Sequence, residues 1–152
     1  MYTIGHGTLE AGQVADLLLA SDVRQLVDVR RFPASRRNPQ FARSRMDEWL
    51  HEYGITYRWE PDLGGFRRPD TSSRNTGLRN LSFRGYADYM TSAAFQHALE
   101  RLVSDARASR TAILCSETVW WRCHRRLIAD ALTLVVGIDV SHIAHDGRRQ
   151  SQ

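Results

Sequence analysis

The stretch from Ile113 to Arg126, Ile-Leu-Cys-Ser-Glu-Thr-Val-Trp-Trp-Arg-Cys-His-Arg-Arg, brings thiols, a carboxylate, an imidazole and guanidinium groups close together along the chain. An apolar run ends abruptly at Cys115 and Glu117, passes Trp120 and Trp121, and resumes a helical pattern at Cys123-His124-Arg125. That pattern reads as buried strand, loop, helix. In a parallel α/β sheet, such a loop is where ligands bind, because backbone N–H groups and the positive end of a helix dipole converge there.

These residue types support more than one chemistry. Glu117, paired with Asp28 at another strand end, could divide acid and base duties. A carboxylate pair of that kind cleaves glycosidic bonds by activating water or stabilising an oxocarbenium-like centre. Against this, Asp28 could simply pair with Arg30 or cap the next turn. Cys123 stands at a helix start among arginines, a setting that lowers a thiol's pKa and makes it nucleophilic, although Cys115 and Cys123 also suit plain packing roles. The Cys115-x6-Arg122 spacing is one residue longer than the C-x5-R phosphate loop of tyrosine phosphatases. It also carries two tryptophans and no glycine, which argues against phosphatase chemistry. Cys115, Cys123, His124 and one of His6, His142 or His145 could in principle bind zinc. Because no C-x2-C or H-E-x2-H spacing exists, neither a metal nor a cofactor is expected.

The elements that must present these groups alternate along the chain. Strands are predicted at Tyr2 to Gly5, Gln25 to Val29, Ile55 to Trp59, Thr111 to Cys115 and Asp139 to Ile143. Between them, Thr8 can cap a helix with Val14, Leu17 and Leu18 on one face, and Met46, Trp49, Leu50 and Tyr53 mark a second. Residues 61 to 82 read as a long irregular loop, with short helical spacing from Phe83 to Met90 beyond it. Phe95, Ala98, Leu99, Leu102, Val103 and Ala106 then trace an amphipathic helix. Another helix buries Leu127, Ile128, Ala131, Leu132 and Val135 and stops at Gly137.

The expected fold is a single-domain three-layer α/β/α sandwich with a mostly parallel, Rossmann- or flavodoxin-like sheet of about five strands. The domain should span residues 1–145, with 146–152 as a flexible tail. The strand ends would then bring His6, Asp28, Arg30, Glu60, Cys115 and Glu117 to one edge.

Composition narrows the function classes. With 152 residues and 42% hydrophobic content the chain suits one domain with a real core. No stretch approaches the roughly 18 apolar residues of a membrane span and no basic leader precedes an apolar segment, so a soluble cytoplasmic protein without membrane partners is expected. Two cysteines fit reduced thiols better than a disulfide framework. All 21 basic residues are arginine and the net charge is +4, so Schiff-base chemistry on a side-chain amine and a phosphate-loop lysine are both excluded.

Several ordered motifs resemble one family. Thr3-Ile-Gly-His6, Val27-Asp-Val-Arg30 with Pro33, Ser35, Arg36 and Arg37, Leu63-Gly-Gly65, Tyr86-Ala-Asp-Tyr-Met90, and Leu114-Cys-Ser-Glu117 followed by Cys123-His-Arg125 are similar to the family called domain of unknown function 488. The resemblance runs from about residue 2 to about residue 143 and implies a small α/β fold with a shared site. Val119, Trp120 and Trp121 make the loop before Cys123 bulkier than the charged, proline-containing loop of many relatives, which points to a different substrate choice.

Arginines interleaved with aromatics direct the substrate expectation toward nucleic acid, DNA rather than RNA. Arg30, Arg36, Arg37 and Arg125 would grip phosphates, and an extruded base would lie against Trp120, Trp121, Tyr86 or Tyr89. Glu117 or Asp28 would promote hydrolysis of the N-glycosidic bond of a modified or damaged base, with His6 or His124 orienting water. Ser35 and Cys123 would complete the binding surface. The alternatives are a cysteine-based enzyme acting on a small metabolite and a non-catalytic nucleic-acid-binding domain.

Overall fold

The computed structural model describes residues 1–34 and 37–152; Ser35 and Arg36, expected to bind substrate, lie outside the described residues. One sheet runs in the order β3-β2-β4-β1-β5-β6. Its strands are β1 (Tyr2–Gly5), β2 (Gln25–Asp28), β3 (Thr56–Trp59), β4 (Thr111–Cys115), β5 (Ser141–Ile143) and β6 (Arg149–Ser151). The first five are parallel, and β6 joins β5 antiparallel. Every residue of β4 is buried, as a central strand covered on both faces requires.

The side-chain alternation of the strands sorts the core into two layers. Leu26, Ala112 and Leu114 pack against α1 (Ala11–Leu19) and α2 (Arg43–Glu52) on one face. Val27, Val29 and Ile113 meet α3 (Leu81–Tyr89), α4 (Ala93–Ala108) and α5 (Arg125–Asp130) on the other. Each such fully buried Val, Leu or Ile side chain contributes about 1.5–3 kcal/mol relative to exposure. The result is the expected α/β sandwich, with one more strand than predicted.

Local chemistry explains where the boundaries moved. α1 is capped by Glu10 rather than Thr8, because Gln13 Oε1 accepts from the Glu10 N–H at 2.8 Å in a capping box. α3 starts before its apolar pattern does, since Asn80 Oδ1 accepts from the N–H groups of Ser82 and Phe83. α5 continues as a π-helical turn, Ala131–Val136, that ends at Gly137 with φ 76°. Within the segment expected as a tail the chain reverses before Arg148, and β6 then pairs along β5. Gln152 anchors the end by bonding to His142 at 2.7 Å and to Asp130. Among the described residues, no helix is long and apolar enough to cross a membrane.

This topology fixes where a ligand can go. β1 and β4 are neighbours, yet the chain leaving β1 feeds α1 on one face while the chain leaving β4 feeds α5 on the other. The connections diverge at that point and open a crevice beyond the carboxyl ends of the two strands.

Candidate active site

The crevice is a cleft of about 450 Å³ lined by residues that follow β1, β2 and β4, closed on one side by Gly65, Phe66, Ser82, Phe83 and Tyr86. His6, Arg30, Cys115, Glu117, Cys123 and His124, which lie far apart in sequence, all line it. The backbone holds these strand ends together beyond the ladder, with the His6 N–H donating to Cys115 O at 2.9 Å and the Gly7 N–H to Ser116 O at 3.0 Å. Gly5 makes this approach feasible, because a Cβ there would collide with the Glu117 carbonyl.

The two sulfurs form the chemical centre. Cys115 ends β4 and Cys123 immediately precedes the turn into α5; both are nearly fully buried as residues, yet both contribute to the cleft wall. Arg125 Nε donates to Cys123 Sγ at 3.4 Å, and His124 Nδ1 lies 3.6 Å from the same sulfur. His124 Nε2 is 3.1 Å from the Val29 carbonyl, an acceptor only, so the ring proton sits on Nε2 and Nδ1 is left as an acceptor near the sulfurs. Hydrogen bonding from the Cys115 thiol and the nearby Arg125 charge outweigh burial and bring the Cys123 thiol down to about 6. The same hydrogen bond and burial push Cys115 up to about 12, so one thiol is a thiolate near neutral pH while its neighbour keeps its proton.

Arg125, expected to grip phosphate, is buried within this centre. It is 1% exposed, and its remaining donors reach Thr3 Oγ1 at 3.3 Å and the Glu117 carbonyl. Gly65 packs beside His124 so closely that a Cβ would come within 2.9 Å of Nδ1. The Cys115 and Cys123 sulfurs and a His124 nitrogen lie within 4.8 Å of one another, a spacing three ligands of one ion could share. The guanidinium already donating to Cys123 Sγ opposes a cation at that position.

A second buried assembly supports the opposite wall. Asp28 is fully buried and does not line the cleft. Its Oδ1 accepts from Arg30 Nε at 2.8 Å, and its Oδ2 accepts from Arg30 Nη2 at 2.6 Å and from the Tyr57 hydroxyl at 2.9 Å. Arg30 also donates to the Phe41 carbonyl at 2.8 Å. Both carboxylate oxygens are thus engaged, and Asp28 fixes Arg30 at the cleft instead of presenting a free base. His6 stacks on Phe41 at 4.2 Å, donates from Nδ1 to Gly7 O at 3.0 Å and faces Arg30 Nη1 with Nε2 at 3.3 Å. Burial, then the Arg30 charge, push its pKa down to about 4, so at neutral pH it is an uncharged imidazole. Glu60 points elsewhere: burial works against its charged form, but Arg101 and Arg58 outweigh it in a separate ion-pair network.

Glu117 lines the cleft as an exposed carboxylate, one oxygen accepting from the Val119 N–H at 3.0 Å. The expected base-stacking platforms are mostly unavailable. Tyr86 is buried with its hydroxyl donating to Leu63 O at 2.6 Å, and Tyr89 donates to Asp62 O with Arg67 3.5 Å above its ring. Trp120 is stacked on His142 at 3.9 Å; Trp121 is exposed but outside the cleft lining, as is Arg37.

Phe32 and Phe66, two of the aromatics interleaved with the arginine clusters, form the mouth of the cleft. Phe32 and Phe66 stand 67% and 81% exposed with ring centroids 6.3 Å apart at the cleft. Phe66 holds a left-handed φ of 60°, and its carbonyl accepts from Arg31 Nη1 at 2.9 Å. A bulky residue in that conformation is strained and marks a position with a task beyond packing. In the sequence Phe32 and Phe66 stand out by that interleaving with arginine and, for Phe66, by the Gly64-Gly65 run before it. Arg31 and Arg122 add positive charge to the same lining.

Neither the curated proteins nor the solved structures include a significant match to the chain. A family model does match residues 10–132, and by that match the chain belongs to the family described as domain of unknown function DUF488.

Proposed function

We propose that this protein is a cysteine-dependent enzyme of the cytoplasm that acts on a small polar substrate bound in the cleft between the ends of β1 and β4. The observation that carries the reading is the Cys123 sulfur in the cleft wall, accepting from Arg125 Nε at 3.4 Å with His124 Nδ1 3.6 Å away. A nucleophile, a base and a third group orienting that base are the parts of an activated thiol site, and Val29 O is the orienter. Cys123 attacks an electrophilic centre, and His124 accepts or returns a proton as the leaving group departs. Arg30, held by Asp28, and the peripheral Arg31 and Arg122 attract and orient an anionic substrate group.

The experiment is a panel of small electrophiles, namely thioesters, activated esters and organic disulfides, scored for turnover and for a protein adduct by intact mass. Adduct formation should vanish in Cys123→Ser and survive in Glu117→Gln. An adduct rate unchanged in Cys123→Ser overturns the proposal.

A second reading, removal of a modified base from nucleic acid, is favoured by one observation: Glu117 stands exposed in the same cleft beside Phe32, Phe66, Arg31 and Arg122. Oligonucleotides carrying uracil, oxidised, alkylated or hydroxymethylated bases, scored for abasic sites with alkali, test it. That reading requires activity lost in Glu117→Gln and retained in Cys123→Ser, the reverse of the first pattern. A binder without catalysis would give neither product but a steep loss of affinity with salt.

A further inference from the structure

The thiol reading leaves one buried nucleophilic group without a task. A single-thiol enzyme needs only Cys123, yet Cys115 presents a second sulfur to the same cleft, within 4.8 Å of the first. Cys115 is the last residue of β4, where the buried strand gives way to exposed Ser116 and Glu117, and its sulfur lies within 4.8 Å of both Cys123 Sγ and a His124 nitrogen. Disulfide closure would bring the sulfurs to about 2.05 Å, a modest approach from that starting distance. Of the seven residues between them, Ser116 to Val119 form a loop and Trp120–Arg122 a 3-10 helix.

The surroundings select a substrate. Arg31 and Arg122 line a cleft of about 450 Å³, which holds a small organic molecule with room beyond a single reacting bond. Exposed Phe32 and Phe66 offer apolar faces beside those charges. Carboxylates meet the guanidinium groups and an organic backbone meets the rings.

We propose that Cys115 and Cys123 form a catalytic dithiol that reduces a low-molecular-weight disulfide bearing carboxylate groups. This rests on the reading of Cys123 as the nucleophile and adds a second catalytic residue and a substrate class. The Cys123 thiolate attacks one sulfur of the substrate, forms a mixed disulfide and expels the other half as a thiolate. Cys115 then gives its proton to His124 Nδ1, and its sulfur attacks Cys123 Sγ. The second substrate half leaves as a thiolate, the two leaving thiolates take up protons, and the protein is left with a Cys115–Cys123 disulfide. The substrate has gained two electrons and the protein has lost two. An external small dithiol returns the protein to its starting state through ordinary exchange.

The test uses 5,5′-dithiobis(2-nitrobenzoate), an aromatic disulfide bearing carboxylates, with the full chain reduced beforehand and freed of reductant, so that a single turnover is read. The wild type should release both coloured thiolates, retain no adduct, and lose both thiol hydrogens by intact mass. Cys115→Ser should release a single thiolate and stay trapped as a stable mixed disulfide at Cys123. Wild-type protein that keeps one nitrobenzoate adduct on each cysteine overturns the dithiol, as does closure driven by hydrogen peroxide but not by the aromatic disulfide. Iodoacetamide labelling of Cys123 in the same preparation separates the two claims. Labelling with no disulfide closure sinks the dithiol alone, whereas absence of labelling sinks the thiol site as well. The wild-type mass requires no substitution, so a poorly folding variant leaves the result intact.

Discussion

Alkylation of Cys123 at mildly acid pH gives a quantitative check on the site's electrostatics. With its thiol at about 6 instead of an unperturbed 9, Cys123 is about one-quarter thiolate at pH 5.5, while an ordinary thiol is ionised to a few parts in ten thousand. That is an advantage of roughly 700- to 800-fold in the reactive form. A less basic thiolate is also a weaker nucleophile: with a Brønsted coefficient of about 0.45, three units cost about 20-fold in intrinsic rate. The net expectation is alkylation by iodoacetamide about 30 times faster than a small reference thiol at pH 5.5, shrinking to about 4-fold at pH 7. The rate–pH curve should bend near 6 and stay flat above it. Replacing Arg125 with Met removes the Nε–H donor 3.4 Å from the sulfur and should move the bend upward. A rate that climbs tenfold per pH unit through 8, in the wild type, refutes the claim that Arg125 and Cys115 hold Cys123 as a thiolate.

Other consequences concern the supporting structure. Asp28→Asn leaves the buried Arg30 guanidinium without its ion-pair partner and should cost about 3 kcal/mol in chemical denaturation, whereas Tyr57→Phe, which removes one hydrogen bond to Asp28, should cost about 1. Equal effects from the two would argue against Asp28 as the anchor of that wall. His6, with its folded pKa pushed down to about 4, stays neutral while an unfolded histidine takes up a proton near 6.5. The unfolded state therefore binds more protons between those values, and stability should fall by up to about 3 kcal/mol as pH drops from 6.5 to 4. His142, lowered by burial, acts in the same sense. His6→Gln should flatten that part of the denaturation profile; parallel profiles would contradict the assignment. Gly5→Ala should lower the melting temperature and abolish Cys123 labelling at acid pH together, because the added methyl displaces the Glu117 carbonyl that receives Arg125.

The elements that period and composition report most directly were legible in the sequence. The fully apolar β4, the amphipathic α4 and the glycine stop after the last helix reflect burial patterns that are local in the chain. The convergence of His6, Arg30, Cys115 and Glu117 was also readable, because parallel strands deliver their carboxyl ends to one edge. Partner choice was not. Whether Asp28 is a free base or an anchor depends on Arg30 folding back two residues and Tyr57 arriving from β3, contacts that spacing does not encode. Tyr86 and Tyr89 have helical spacing that fits a stacking platform as well as a core, and only the packing of α3 against Leu63 and Phe95 decides between them. β6 escaped because its residues are polar and exposed, and its pairing is set by the chain reversal before Arg148 and by Gln152 reaching Asp130 and His142.

The most direct measurement is the site of labelling when the folded protein meets a substoichiometric amount of iodoacetamide at pH 6, read by peptide mass mapping. The account predicts carbamidomethyl on Cys123 with Cys115 still free. Label shared evenly between the two cysteines, or found on Cys115 first, would contradict it.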